Sequence, residues 1–190
     1  MLTPEYLKAK FDAALPYDEY VATGAADKQA RWREFHGRVA LTDAQRTLIA
    51  GCGRDIRVLD TSGVWCGDCV QQCPFLDHIQ RANPERISAR FVDRDEHADL
   101  AETVKINEGL RVPVAIFISE DFDFVSLFGD RSLNRYRALA ARNLGPSCPL
   151  PGAPVPADEI AAQLADWVDE FERVHLLLRL STKLRARHGD

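Results

Sequence analysis

Two cysteines three residues apart, Cys66 and Cys69, stand where a short apolar run gives way to a helical pattern. That junction constrains the chain more than any other feature. Residues 56–61 have the length and apolar content of a buried strand, Ser62-Gly63-Val64 leads out of it, and residues 70–80 read as a helix. Side chains three apart share a helix face about 5–6 Å apart, a separation that suits a disulfide. The first turn of a helix also has unpaired N–H groups and a partial positive charge, which favour a thiolate. The thiolate is the attacking species in disulfide exchange. A loop before the helix leaves Cys66 exposed and sets Cys69 deeper, so Cys66 attacks and Cys69 resolves.

The rest of the chain builds a frame around this junction. Before it, Thr3 caps a helix opened by Pro4, and Thr42 caps another reaching residue 50. Residues 28–39 carry Trp32, Phe35 and Val39 at helical spacing, a stripe that belongs to a core. After it come a strand over 89–92, a helix over 98–106, strands over 113–119 and 124–128 joined through Glu120-Asp121, and a helix over 133–143. Residues 145–156 hold five prolines and read as a loop. An amphipathic helix spans 158–187. The order predicts an α/β fold, a mixed sheet flanked by helices. It divides into an N-terminal helical extension over 1–54 and a domain over 55–190, with its core at 57–143.

Composition narrows the function classes. The net charge of −5 supplies no overall field for nucleic acid or anionic lipid. No run approaches the ~20 apolar residues that cross a bilayer, so neither nucleic acid nor membrane is an expected partner. The N-terminus lacks the basic and apolar regions of a secretory signal. Cysteines number five, an odd count, with three of them between 66 and 73, unlike the even, dispersed set of a secreted disulfide scaffold. The expected setting is the reducing cytoplasm.

Several spaced positions together resemble the thioredoxin family. Trp65-Cys66-Gly67-Asp68-Cys69 is similar to its Trp-Cys-Gly-Pro-Cys, and Pro74 falls where that family kinks its active-site helix. Asp60 falls where the family buries a carboxylate beneath the disulfide. Val112-Pro113 matches its cis-proline, and residues 91–95 and Gly129 also fit. The resemblance implies a thioredoxin-like fold with an N-terminal helical extension and a long C-terminal helix. It also implies a reductase of protein or small-molecule disulfides with no bound cofactor, fed electrons by a thioredoxin-reductase-like donor. Cys66 would form a mixed disulfide, Asp60 would take the proton of Cys69, and Cys69 would release the substrate. Val112 would present its backbone to an extended substrate, Pro113 would shape the groove, and Trp65 would form an apolar rim. Asp68 departs from the family's proline, and its like charge predicts a raised Cys66 pKa.

Competing readings remain for individual residues. Asp60 can be a turn residue, and Pro113 an ordinary trans proline opening a strand. Cys66 and Cys73 lie about 10.5 Å apart in helix rise, whereas two thiolates on one zinc lie at most about 4.6 Å apart. No metal site is therefore expected. An iron–sulfur cluster would need a fourth thiolate from Cys52 or Cys148. Cys73 reads as a small buried apolar residue or a regulatory thiol, and Cys52 and Cys148 as incidental. The histidines at 36, 78, 97, 175 and 188 form no close pair. Arg179, Lys183, Arg185 and Arg187 read as a docking surface or as cations complementing a helix C-terminus. The alternative to the enzyme is a binding or adaptor module on the same scaffold.

Overall fold

The computed structural model describes residues 1–144 and 157–189, so the expected proline-rich loop and Cys148 lie outside the described residues. The chain opens with helices α1 (Pro4–Ala13), α2 (Tyr17–Ala22), α3 (Ala26–His36) and α4 (Asp43–Ala50). Thr3 accepts the Tyr6 N–H at the start of α1, and Thr42 and Gln45 form a reciprocal capping box on α4. Then follow β1 (Ile56–Ser62), α5 (Gly67–Ala82), β2 (Ile87–Asp93), α6 (Ala98–Thr103), β3 (Val114–Ile118), β4 (Phe124–Gly129) and α7 (Leu133–Asn143). Helices α8 (Glu159–Leu180) and α9 (Thr182–His188) close the described chain.

The strands make one mixed sheet, as the sequence predicts, and their order in it is β2-β1-β3-β4. β1 and β2 run parallel through the α5 crossover, and β3 runs antiparallel to both β1 and β4. Strand side chains alternate between faces. Ile56, Val58, Ala115, Phe117 and Phe91 pack with Phe75 and Leu76 of α5 and with Trp167 and Phe171 of α8. Leu59, Val114, Ile116 and Ile118 face the other way, onto Leu7 and Phe11 of α1 and Leu100 of α6. β3 is buried along its whole length, as a central strand covered by helices must be. The same alternation puts Asp60 and Ser62 on the α5 side, in step with Ile56 and Val58.

The N-terminal helices are tied to this sheet. Between α1 and α2, Leu15 exchanges both backbone hydrogen bonds with Phe91, at 3.0 and 2.8 Å, extending the free edge of β2. An isolated bridge carries no periodicity, so a purely helical reading of the first 50 residues missed it. Tyr20 stacks on Phe91, and the Trp32 indole N–H donates to the Val64 carbonyl at 2.9 Å. The extension thus reaches the loop that leads to Cys66.

Other expectations need correction. The predicted helix over 158–187 is broken at Ser181, whose extended backbone ends α8 while its hydroxyl accepts the Leu184 N–H and caps α9. A serine side chain competes with the helix interior for backbone groups. The predicted helix over 98–106 stops at Thr103, because Ile106 pairs with Gly109 across a turn in which Asn107 and Glu108 take positive φ. Two of the basic C-terminal residues form ion pairs within the chain. Lys183 pairs with Asp123 and Arg187 with Asp121, so these two clamp α9 to the β3–β4 turn.

Gly129 ends β4 at φ 145°, and a Cβ there would lie 2.5 Å from the Pro113 carbonyl oxygen. Both the conformation and the close backbone approach require glycine. Gly129→Ala is expected to lower stability by about 1–3 kcal/mol, read as a fall in the urea midpoint at unchanged slope. An unaltered midpoint would show that the two strands can separate here without cost.

Candidate active site

Cys66 is the N-cap of α5, with extended backbone at φ −83° and ψ 128°. Its own N–H donates to the Gly63 carbonyl at 2.8 Å, closing the turn that delivers it from β1. The thiol is half-buried, donates to the Val112 carbonyl at 3.8 Å, and lies near the backbone N–H groups of Asp68 and Cys69. Its hydrogen bond to Cys69 pushes the Cys66 thiol up, burial and the Cys69 charge add to this, and those two N–H groups oppose it. Two thiolates cannot coexist at this spacing, so the pair loses one proton well before the other.

Cys69, in the first turn of α5, is fully buried, and burial raises its pKa. Asp60 lies beneath it on β1 with no exposure, and burial holds its carboxyl well above the usual range. One carboxyl oxygen accepts a hydrogen bond from the Cys73 thiol at 3.6 Å; the other has no partner among the described residues. Cys73 also meets the Ser62 hydroxyl at 3.4 Å and interacts with Cys69 one turn above it. Burial lifts its own thiol to about 11. Cys73 is buried, but it touches polar groups on three sides, which the reading of it as a small apolar residue did not foresee.

Asp68 corrects the expected electrostatics. Arg131 donates to one of its oxygens at 2.9 and 2.5 Å, and Arg135 to the other at 3.1 and 2.9 Å. Two guanidiniums therefore compensate the carboxylate, and the upward push on Cys66 comes from Cys69 and from burial. Sequence reasoning missed both arginines, which lie more than 60 positions from Asp68 and meet it only through the β4–α7 connection.

The Val112–Pro113 bond is cis, and β3 begins only at Val114, so Val112 lies beside Cys66 ahead of the sheet ladder. Trp65 is 45% exposed and forms the rim of the site, with the Arg94 guanidinium 4.7 Å above its ring. Gly63 lies so close beneath that ring that a Cβ would come within 2.6 Å of it. Gly67 is exposed. Asp60, Trp65, Cys66, Gly67, Asp68, Cys69 and Val112 thus lie in or directly under one patch at the start of α5.

A family model described as thioredoxin matches residues 14–141. The chain belongs to the thioredoxin family. Among solved structures, a Pseudomonas aeruginosa protein of unknown function is 20% identical with a TM-score of 0.66, over 87% of this chain and 93% of that one. An HIV epitope scaffold is also 20% identical, with a TM-score of 0.61 over 96% of this chain and 98% of that one. At such identity both speak to the fold alone. No curated protein sequence matches. The thioredoxin-family match begins at residue 14, inside the N-terminal helices.

Away from the thioredoxin-family site, one expectation is corrected. The histidines do form a close pair: His36 and His78 stack with ring centroids 4.2 Å apart, and His36 meets the buried Asp77 carboxylate at 2.7 Å. They are 42 residues apart, and only the packing of α3 on α5 brings them together. Among the described residues, no group of three or more His, Cys, Asp or Glu side chains is placed to hold a metal ion. No described helix is long and apolar enough to cross a membrane.

Two measurements test this electrostatic description. An Asp60 carboxyl raised by burial binds its proton more tightly in the folded than in the unfolded chain, where its pKa is about 3.9. Its contribution to stability is therefore lost as pH rises through the folded value. The thermal midpoint of Asp60→Asn should exceed the wild type by a margin that widens above about pH 4 and levels off once Asp60 ionises. A margin independent of pH would refute the shift. At the rim, Arg131→Gln should raise the pH midpoint of Cys66 alkylation by iodoacetamide, and Asp68→Asn should lower it. An unmoved midpoint in Arg131→Gln would mean that the guanidinium does not offset Asp68.

Proposed function

We propose that the chain is a thiol–disulfide oxidoreductase that reduces protein or small-molecule disulfides through Cys66 and Cys69. The observation that carries this reading is a half-exposed thiol at a helix N-cap with a fully buried partner one turn on. The Cys66 thiolate attacks a substrate disulfide, forming a mixed disulfide and releasing one substrate thiolate. Cys69 then attacks Cys66, the Cys66–Cys69 bond forms, and the second substrate thiolate leaves. The two protein sulfurs lose two electrons and the substrate gains them.

The surroundings support the roles assigned to the other residues. The backbone of Val112 lies against Cys66 and serves an extended substrate segment, Pro113 leaves the groove beside it without an N–H, and Trp65 and Arg94 form a flat rim. Gly67 keeps the mouth free of a side chain. The reading needs no bound cofactor. It does need a thioredoxin-reductase-like donor of electrons and a reducing compartment such as the cytoplasm.

Dithiothreitol-driven reduction of insulin, followed as turbidity, tests the reading. The wild type should turn over, Cys66→Ser should fall to the blank, and Cys69→Ser should accumulate a mixed disulfide visible by mass. Turnover no faster than the blank in wild type, with the pair fully reducible, would favour a binding module on the same scaffold.

A further inference from the structure

We infer that Cys73 is a catalytic residue of the resolving step, passing the proton of Cys69 to Asp60; this rests on the redox reading above. Cys66, Cys69 and Cys73 occupy one face of α5 at spacings of three and four, so their sulfurs descend in order from the surface toward β1. The contacts follow the same descent. Cys69 interacts with Cys66 above it and with Cys73 one turn below, and Cys73 donates a hydrogen bond to Asp60 at 3.6 Å. Cys69, Cys73 and Asp60 are each fully buried. The thiol of Cys73 is thus the described group in contact with both the resolving sulfur and the carboxylate. A thiol both donates and accepts a hydrogen bond, so it can release one proton while taking up another. Ser62, at 3.4 Å, holds the Cys73 sulfur in place from β1.

In the mixed disulfide, Cys73 gives its proton to the Asp60 carboxylate and receives that of Cys69. The net change is Cys69 thiol plus Asp60 carboxylate to Cys69 thiolate plus Asp60 carboxylic acid, with Cys73 a thiol before and after. Cys69 then attacks the Cys66 sulfur, the bond between Cys66 and the substrate breaks, and the substrate thiolate departs to take its proton from water. The protein dithiol is oxidised by two electrons and the substrate disulfide reduced by two. The relay works only when Asp60 is ionised, so resolution accelerates as pH rises through its pKa.

A symmetrical aromatic disulfide with a coloured thiolate separates the two steps, because attack by Cys66 and resolution by Cys69 each release one equivalent. In Cys73→Ala the first release should stay within about twofold of wild type while the second slows about tenfold or more and loses its rise with pH. Cys73→Ser, whose hydroxyl can also donate and accept, should recover part of the second rate. In an Asp60→Asn background, Cys73→Ala should add little. An unchanged second release with the same pH profile overturns the relay, as does equal slowing of both releases, which would mark Cys73 as packing only. If the wild type releases neither equivalent, the redox reading falls and the relay with it.

Discussion

The packing of α5 onto β1 encloses a carboxyl group and two of its three thiols, and the geometry of the candidate site follows from that enclosure. β1 has strands on both sides and helices on both faces, so a side chain at position 60 has no route to solvent. Burying an ionised carboxylate without partners costs several kcal/mol, and the neutral acid avoids most of that cost. The thiols respond to the same environment: burial raises the pKa of Cys69 and Cys73, and it adds to the upward push of Cys69 on Cys66, which the helix N–H groups oppose. A strand register set by hydrophobic alternation therefore places a buried carboxyl directly beneath the thiols on one face of a helix.

Charge near the mouth of the site is paired off locally. Asp68 is held by Arg131 and Arg135, Asp130 by Tyr136 and Arg131, and Arg94 lies across Trp65 beside Asp95. Each carboxylate lies in contact with a guanidinium, so the opposite charges largely cancel and such pairs exert little net field on a neighbouring sulfur. What distinguishes Cys66 is therefore short-range contact, with two backbone N–H groups, one thiol and one carbonyl.

Much of this was legible in the sequence because it rests on local rules. The strand before the cysteines, the caps at Thr3 and Thr42, the glycine closing β4 and the cis bond before Pro113 each depend on residues within a few positions of one another. What was hidden depends on contacts between distant segments. Arg131 and Arg135 read as ordinary surface cations until α7 is placed beside the start of α5. Cys73 reads as a small apolar residue because periodicity reports that a position is buried, not that a carboxyl and a hydroxyl face it. The His36–His78 stack and the Leu15–Phe91 bridge fail for the same reason. The break at Ser181 was missed for a different one: a serine inside an amphipathic pattern satisfies both a continuous helix and a cap.

The indole of Trp32 has a structural consequence for how the chain can be divided. Its N–H holds the carbonyl of Val64, two residues before Cys66, while Gly24 lies so close to the Val64 side chain that a methyl group would not fit between them. The turn that aims the outer sulfur is thus braced by residues some thirty to forty positions earlier in the chain. A shortened polypeptide starting near residue 55 would lose the brace, uncover the aromatic face of Phe91 to water, and release the edge of β2 that Leu15 now occupies. The familiar small module and the helices ahead of it function mechanically as one unit, with the reactive turn clamped at their seam.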